Sequence, residues 1–242
     1  MVIFAFCIVF DAFLVYNIFM TQTKKWVTIL FVILQTVIFF TFMAGDLTLE
    51  WDTSWVKYVG VLLCLFYACA FCKNLNDAFL ALALFFTAVA DYFLLVINNH
   101  FEAGVTVFIV AQIFHFARIA TLKTLKTNLI SVAARILLAV VALVLLAVTN
   151  NFDTLNCLVA IYFSLLLVNT ADALFVALKN KKRILLFVGF CLFVLCDVCV
   201  GLYNIDINLP TKLVNAISFL MWVFYLPSQT LIALSQNALQ PT

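Results

Sequence analysis

The chain has 242 residues, of which 67% are hydrophobic and 10% are charged, and its mean hydropathy is +1.23. A soluble domain carries about 25% charged residues, so this composition excludes a soluble protein and indicates an integral membrane protein. The formal net charge of +2 is too small to indicate a nucleic acid partner.

Nine apolar runs are long enough for transmembrane helices, which need about 20 mostly apolar residues. Glycine and proline are scarce, with 5 and 3 residues, so helices are favoured over a β-barrel. The connections are short, and we predict an all-α, polytopic transmembrane helical bundle that forms a single domain over 1–242. In chain order the predicted segments are 2–20, 26–44, 55–72, 77–97, 102–121, 130–148, 154–177, 183–203 and 212–235.

The loops alternate in charge, which predicts an orientation. Loops after odd-numbered segments are basic, and loops after even-numbered segments are mostly acidic. By the positive-inside rule, the amino terminus lies outside and the carboxyl terminus in the cytoplasm, in the plasma membrane if the protein is bacterial. The basic residues of the odd loops are Lys24, Lys25, Lys73, Lys123, Lys126, Lys179, Lys181, Lys182 and Arg183; the acidic residues of the even loops are Asp46, Glu50, Asp52, Glu102, Asp153 and Asp206.

Two carboxylates interrupt apolar runs at matching depth. Asp91 is 14 residues beyond Asp77, and Asp197 is 14 beyond Arg183, so both lie about 21 Å from the cytoplasmic ends of two helices that run in the same direction. Charge at the bilayer centre costs about 2.5–3.5 kcal/mol, and carboxylates there are functional candidates by default. The alternative is that each is protonated and only joins neighbouring helices. Asp11, near the centre of the first segment, is a third buried carboxylate whose role the sequence leaves open.

The surroundings of the two aspartates resemble a parallel repeat of a helix hairpin. Asn98 follows Asp91 by seven residues, and Asn204 follows Asp197 by seven, which predicts each asparagine on its aspartate's helix face. In each hairpin the returning segment carries an aromatic residue and, four residues later, a glutamine. These pairs are Phe108 with Gln112, and Tyr225 with Gln229.

The remaining polar residues have structural interpretations. Asp172 is predicted to pair with a basic loop, and Arg118 to extend to the cytoplasmic headgroups.

His115 lies about 12 Å nearer the cytoplasm than the aspartates, which argues against a shared metal ion. The CAFC (69–72) and CDVC (196–199) pairs lack a nearby histidine or second cysteine pair. We therefore expect no metal and no cofactor.

Three blocks resemble the YhhN-like lysoplasmalogenase family. They are AVADYFLLVINNHFEAGVTVFIVAQIFHFARI (88–119), GFCLFVLCDVCVGLYNI (189–205) and YLPSQTLI (225–232), in the family's order and spacing. Both aspartates of the family's pattern are retained. The departures are Ala90 for a glycine, Cys196 for a serine, Gln112 for a histidine and His115 for a tyrosine, together with an extra amino-terminal helix before the family's usual eight.

The resemblance implies hydrolysis of the vinyl ether bond of lysoplasmalogens, which gives a fatty aldehyde and glycerophospho-ethanolamine or -choline. One aspartate would donate a proton to carbon, because burial favours a neutral carboxyl, and the other would stabilise the cation or activate water, as in glycosidases. The resemblance does not decide which aspartate is the acid. The substrate-binding candidates are Asn98, Asn204, Gln112, His115, Tyr225 and Gln229.

Two other functions fit the same residues. The aspartates could be proton or cation sites of a small transporter or channel, although few glycines or prolines break the helices. The chain could also be a catalytically inactive bundle that binds lipid, in which the aspartates only hold helices together. The expected partners are a lysophospholipid substrate and membrane lipid, and the sequence leaves the oligomeric state open.

Overall fold

Helices begin and end where local sequence signals place them. Asn74, Thr124 and Asp153 have extended backbones, and their side chains accept a hydrogen bond from the third residue of the following helix. Asn98 and His100 have positive φ angles of 50° and 57° and reverse the chain between two helices.

The computed structural model describes residues 22–48, 51–204 and 210–238. The predicted segment 2–20, with Asp11, lies outside these residues, so the count of nine is not tested there. The described helices are α1 (Gln22–Thr48), α2 (Ser54–Ala70), α3 (Leu75–Asp91), α4 (Phe101–Ala120), α5 (Leu125–Val148), α6 (Thr154–Lys179), α7 (Ile184–Asn204) and α8 (Thr211–Leu234).

Three short helical segments complete the described elements. A π-helical segment, Tyr92–Ile97, continues α3, and 3₁₀ turns at Lys181–Arg183 and Ser235–Ala238 precede α7 and follow α8. No strand occurs within the three described ranges. Seven of the helices are long and apolar enough to cross a membrane, and the eighth, α2, has 17 residues.

The core lies between α1, α2, α3, α4, α6, α7 and α8, which all contribute to one cluster of buried apolar side chains. α7 and α8 approach closely at Gly189, where an added Cβ would lie 2.8 Å from Ile232 Cγ1 and 3.2 Å from the backbone oxygen of Ser228. α5 lies at the periphery, and its buried residues are the polar Ser131 and Arg135. Most of the α5 surface is thus free to face lipid.

The ends of the bundle differ in charge. The loops that carry Lys73, Lys123 and Lys181 lie at one end, here called the basic end, because α3, α5 and α7 start there. The loops that carry Asp52 and Asp153 lie at the opposite end, here called the acidic end. α3 and α7 both run from the basic to the acidic end.

Candidate active site

Asp91 and Asp197 meet in the interior of the bundle. Asp91 is the last residue of α3 and is 5% exposed, and Asp197 is half-buried in α7. The charge of Asp197 acts on Asp91, and a chain of contacting rings, described below, joins the surroundings of one aspartate to those of the other. The two aspartates predicted at equal depth therefore lie in the same part of the bundle interior.

Each aspartate accepts a hydrogen bond from a buried tyrosine. The hydroxyl of Tyr225 on α8 donates to Asp91 Oδ2 at 2.6 Å, and the hydroxyl of Tyr162 on α6 donates to Asp197 Oδ2 at 2.6 Å. A hydrogen bond to an ionised acceptor is about twice as strong as a neutral one. Four different helices thus contribute to two matched carboxyl–phenol pairs.

Tyr162 was not singled out from the sequence, although a signal existed. It is eight residues into α6 from the acidic end, and Asp197 is seven residues before the end of α7 at the same end. A buried tyrosine hydroxyl needs a polar partner, and the equal depth pointed to Asp197. What the sequence did not supply was the contact between α6 and α7.

Aromatic rings connect the two carboxyl–phenol pairs. The ring of Phe193 lies 5.6 Å from that of Tyr225, and the ring of Phe108 lies 6.2 Å from Phe193 and 5.5 Å from Tyr162. These edge-on and tilted contacts fix both tyrosines by packing. The two tyrosines that bind the carboxyl groups are therefore packed against an apolar aromatic wall.

The two asparagines predicted to share the aspartates' helix faces do not lie beside the carboxyls. After Asp91 the α-helix changes to a π-helix, whose longer turn rotates the following residues away from the face predicted by α-helical spacing. Asn98 is exposed in a left-handed conformation, and Asn204 is exposed and donates to the backbone oxygen of Val200 on its own helix. Both lie at the acidic end.

The repeat between the two hairpins is also incomplete in its contacts. Tyr225, on the helix that follows α7, binds Asp91, whereas Phe108, on the helix that follows α3, has no hydroxyl and packs against Tyr162. The tyrosine that binds Asp197 therefore comes from α6 and not from the matching helix α4.

Gln112, His115 and Gln229 are fully enclosed on the basic side of the carboxyl pair. Gln112 Oε1 accepts from Asn169 Nδ2 at 2.8 Å, and Gln229 Nε2 lies 3.5 Å from Ser228 Oγ. His115 packs edge-on against Phe190 with ring centroids 5.2 Å apart. These side chains lie near the carboxyls but are separated from the bundle surface.

A second polar cluster connects α5 and α6 to the loop after α4. Asp172 accepts hydrogen bonds from Lys123 Nζ at 2.5 Å, Ser131 Oγ at 2.6 Å and Arg135 Nη2 at 3.0 Å. Arg135 Nη2 also donates to Asn169 Oδ1 at 2.6 Å. Asp172 does pair with basic residues, as expected for a structural role, but its partners come from the loop after α4 and from α5.

Arg118 corrects a prediction from the sequence. It is fully buried and does not extend to the headgroups. Its Nε lies 3.3 Å from Asn76 Oδ1, and its backbone oxygen accepts from Asn76 Nδ2 at 2.9 Å. Asn76 is the second residue of α3, so Arg118 lies near the basic end, as predicted, but its side chain is enclosed by the bundle and not extended outward.

Within the residues that the structure describes, neither a metal cluster nor the surface groove described below includes the aspartates. Among the described residues, no three His, Cys, Asp or Glu side chains are placed to share a metal ion. A groove on the bundle surface lies between α1 and α8 and contains neither aspartate. Its lining residues are Val32, Gln35, Thr36, Phe39, Leu226, Pro227 and Thr230.

Comparison with known proteins gives one match. The model of the YhhN family matches residues 53–236, which is more than half of the chain and includes both aspartates and both tyrosines. No curated protein and no solved structure matches the chain.

Proposed function

The chain belongs to the YhhN family, and on this premise we propose that it is a membrane hydrolase that cleaves the vinyl ether bond of lysoplasmalogens. The products would be a fatty aldehyde and glycerophospho-ethanolamine or -choline. The observation that carries the proposal is the pair of interacting aspartates, each bound by a buried tyrosine hydroxyl. Two carboxyl groups at one site provide both an acid and a base.

The reaction needs one proton donor and one proton acceptor. A neutral carboxyl transfers its proton to the vinyl carbon that is not bound to oxygen, and the other vinyl carbon becomes an oxocarbenium ion. The second carboxyl, ionised, stabilises this cation and accepts a proton from the water that adds to it. The resulting hemiacetal releases the aldehyde when the second carboxyl gives its proton to the leaving glycerol oxygen and the first carboxylate takes the proton of the hemiacetal hydroxyl, which restores both groups. Glycosidases use two carboxyls in a comparable way.

The tyrosines would hold the carboxyls in position during these steps. Each donates to Oδ2, so Oδ1 of each aspartate is the oxygen directed to substrate or water in this proposal. The two carboxyl–phenol pairs have the same hydrogen bond, and two interacting carboxyls titrate together. The proposal therefore names the two aspartates jointly as proton donor and acceptor, without giving either role to one of them.

The proposed pose places the headgroup at the acidic end of the bundle. Asn98 and Asn204 are exposed at the acidic end, seven residues beyond their aspartates. For Asn204, at the end of the α-helix α7, this is about 10 Å by helix rise. In the proposed pose the headgroup lies near these asparagines and the vinyl ether, which adjoins the glycerol, lies near the carboxyls. The apolar chain continues along the rings of Phe108 and Phe193. Gln112, His115 and Gln229 then border the reacting end from the basic side.

Release of aldehyde from a lysoplasmalogen by the purified protein tests the proposal. We expect activity in the unchanged protein and a loss of about 10²- to 10⁴-fold in Asp91→Asn and in Asp197→Asn, the range for removing a positioned acid or base. Glu102→Gln is the matched control, because Glu102 is an exposed carboxylate at the start of α4, and it should keep full activity.

The proposal fails if the folded protein releases no aldehyde from any lysoplasmalogen headgroup class. It also fails if either aspartate variant keeps the rate of the control, because the chemistry requires both carboxyls. An ion flux in proteoliposomes that depends on Asp91 and Asp197 would instead favour transport.

A further inference from the structure

Four buried polar side chains occupy the helical turns that follow the carboxyl pair toward the basic end. They are Thr87 on α3, Gln112 and His115 on α4, and Gln229 on α8, and are here called the polar layer. All four residues are fully enclosed by the bundle. Their helices α3, α4 and α8 all contribute apolar side chains to the same core cluster.

The register of α3 and α8 places two of these side chains opposite each other. Thr87 precedes Asp91 by four residues, and Gln229 follows Tyr225 by four. Because the hydroxyl of Tyr225 binds Asp91 and the helices run in opposite directions, the next turn of both helices brings Thr87 and Gln229 to one level. This level is about 6 Å from the carboxyl.

Polar atoms in every member of the layer lack a protein partner. Within the described ranges, Thr87 Oγ1, Gln112 Nε2, Gln229 Oε1 and both ring nitrogens of His115 make no hydrogen bond. A buried polar group left in this way costs about 1–3 kcal/mol. Native proteins generally satisfy such groups with ordered water.

The chemistry of these atoms matches water better than an ion. The Gln112 nitrogen is a donor, the Gln229 oxygen is an acceptor, a hydroxyl is both, and a neutral imidazole offers one of each. An anion would need donors throughout, and a cation acceptors throughout. A lipid headgroup would need an opening to the surface that fully enclosed side chains do not provide.

We infer that the polar layer binds water molecules inside the bundle and supplies the water that the reaction consumes. The second part of this inference rests on the proposed function. The layer adjoins the carboxyls on the side opposite to the headgroup, so a water molecule reaches the oxocarbenium carbon without crossing the lipid-filled side of the site.

Radiolytic hydroxyl labelling of the purified protein in H₂¹⁸O tests whether water is present. X-rays convert bound water to hydroxyl radicals, which label the adjacent side chains. Phe190 is the probe, because it is fully buried and its ring contacts His115. Phe42 is the control, because it is equally buried but lies outside the polar layer, against Phe39, Trp222 and the Lys57 ammonium group. We expect severalfold faster labelling of Phe190 than of Phe42. Equal, slow labelling of both would overturn the inference.

A double variant, Thr87→Val with Gln229→Leu, tests whether the layer holds the water. Both replacements keep the approximate shape of the side chain and remove the polar atoms, so the fold should be retained. We expect the labelling of Phe190 to fall severalfold. Thr170→Val is the control, because the Thr170 hydroxyl binds the Leu166 backbone oxygen of its own helix; it should leave the labelling unchanged.

Activity measurements separate this inference from the proposed function. If the double variant loses labelling, kcat for aldehyde release should fall about tenfold at unchanged KM, and an unchanged kcat would overturn the supply of reaction water. Labelling of Phe190 in a protein that releases no aldehyde would support the water layer and contradict the hydrolase. Aldehyde release by a protein in which Phe190 is not labelled would support the hydrolase and contradict the water layer.

Discussion

At the scale of single residues, a carboxyl group within hydrocarbon is stabilised by what it can bond to. Asp91 and Asp197 lie on helices whose other residues at this depth are apolar, and each has a phenol as its hydrogen-bond donor. A phenol donates without carrying a charge, so it holds a carboxyl in either protonation state. In the proposed reaction each carboxyl changes its protonation, and this partner suits both states.

Removal of either phenol should slow the proposed reaction. A hydrogen bond to a charged group contributes about 1.5–3 kcal/mol, and each 1.36 kcal/mol is a factor of ten in rate. We therefore expect Tyr162→Phe and Tyr225→Phe to lower kcat for aldehyde release by about ten- to a hundredfold. Single-turnover and steady-state assays of the purified variants measure this loss.

Tyr203→Phe is the control for these variants. Tyr203 lies on α7 beyond Asp197, and its side chain is exposed, so the variant should keep the unchanged kcat. If Tyr162→Phe matched this control while Tyr225→Phe lost activity, the two carboxyl–phenol pairs would not be equivalent and the role of Tyr162 would be structural.

Individual residues also show the limit of sequence reasoning about the site. The depth of Asp91 and Asp197 followed from counting residues, because helix rise is constant. The burial of Arg118 and the partner of Asp197 did not follow, since they depend on which helices are neighbours. Charge alone predicted that the Arg118 side chain extends to the headgroups, but it is enclosed by the bundle beside Asn76 of α3.

At the scale of elements, the close contact between α7 and α8 at Gly189 aligns the two helices that contribute to the site. α7 carries Asp197 and α8 carries Tyr225. At Gly189 an added Cβ would meet Ile232 Cγ1 at 2.8 Å and the Ile232 backbone nitrogen at 3.2 Å. The backbone cannot give way as a flexible side chain can, so Gly189→Ala should separate the helices.

We expect Gly189→Ala to lower the free energy of unfolding by about 1–3 kcal/mol, the usual cost of an overpacked core. Titration with sodium dodecyl sulfate, followed by tryptophan fluorescence, measures the change. Gly201→Ala on the same helix is the control, because nothing lies within 4 Å of its added Cβ, and it should gain up to about 1 kcal/mol from helix propensity. Equal stability of the two variants would mean that the contact between α7 and α8 at Gly189 has room for a methyl group, which contradicts the prediction.

α5 is attached to the bundle mainly through charge. Its buried residues are Ser131 and Arg135, and both bind Asp172 of α6. Asp172→Ala would leave Arg135 and Lys123 without their shared carboxylate. Removing one partner of a buried ion pair costs about 3–5 kcal/mol. We expect Asp172→Ala to lower the free energy of unfolding by about that amount.

The matched control for Asp172 is Glu102→Ala, which removes an exposed carboxylate of α4 and should change stability by less than about 1 kcal/mol. The same titration measures both variants. A small loss in Asp172→Ala would mean that apolar contacts, and not the ion pairs, attach α5 to α6.

The π-helical segment is the element that the sequence did not predict. Apolar spacing predicted one helix over 77–97, and the chain is indeed helical there, but Tyr92–Ile97 has π-helical hydrogen bonds. Hydrophobic composition reports that a segment is helical, not which carbonyl each amide binds. For that reason the predicted alignment of Asn98 with Asp91 was wrong, while the extent of the helix was nearly right.

At the scale of the whole molecule, composition was sufficient to predict a helical membrane bundle. In hydrocarbon every backbone N–H and C=O group must be hydrogen-bonded within the protein. Apolar runs separated by short charged loops therefore predict helices. The predicted 102–121 and 183–203 correspond to Phe101–Ala120 and Ile184–Asn204. Which helices are neighbours was not predictable, because the outward and inward faces of such helices are both apolar.

The charge difference between the two ends leads to a last prediction, the orientation of the bundle. Lys73, Lys123 and Lys181 lie at the basic end, and the positive-inside rule places such loops in the cytoplasm. The acidic end, where Asn98 and Asn204 are exposed, would then face outward. A lysolipid in the proposed pose would enter from the outer leaflet, so the orientation also decides which leaflet supplies the substrate.

Single cysteines at the two ends measure this orientation. In a variant whose eight cysteines are replaced by alanine, Glu102→Cys should react with a membrane-impermeant maleimide in intact cells. Lys181→Cys should react only after permeabilisation. Both parent residues are exposed, so a lack of reaction reports sidedness and not burial. The reverse pattern would place the basic end outside, and the proposed substrate would then have to come from the cytoplasmic leaflet.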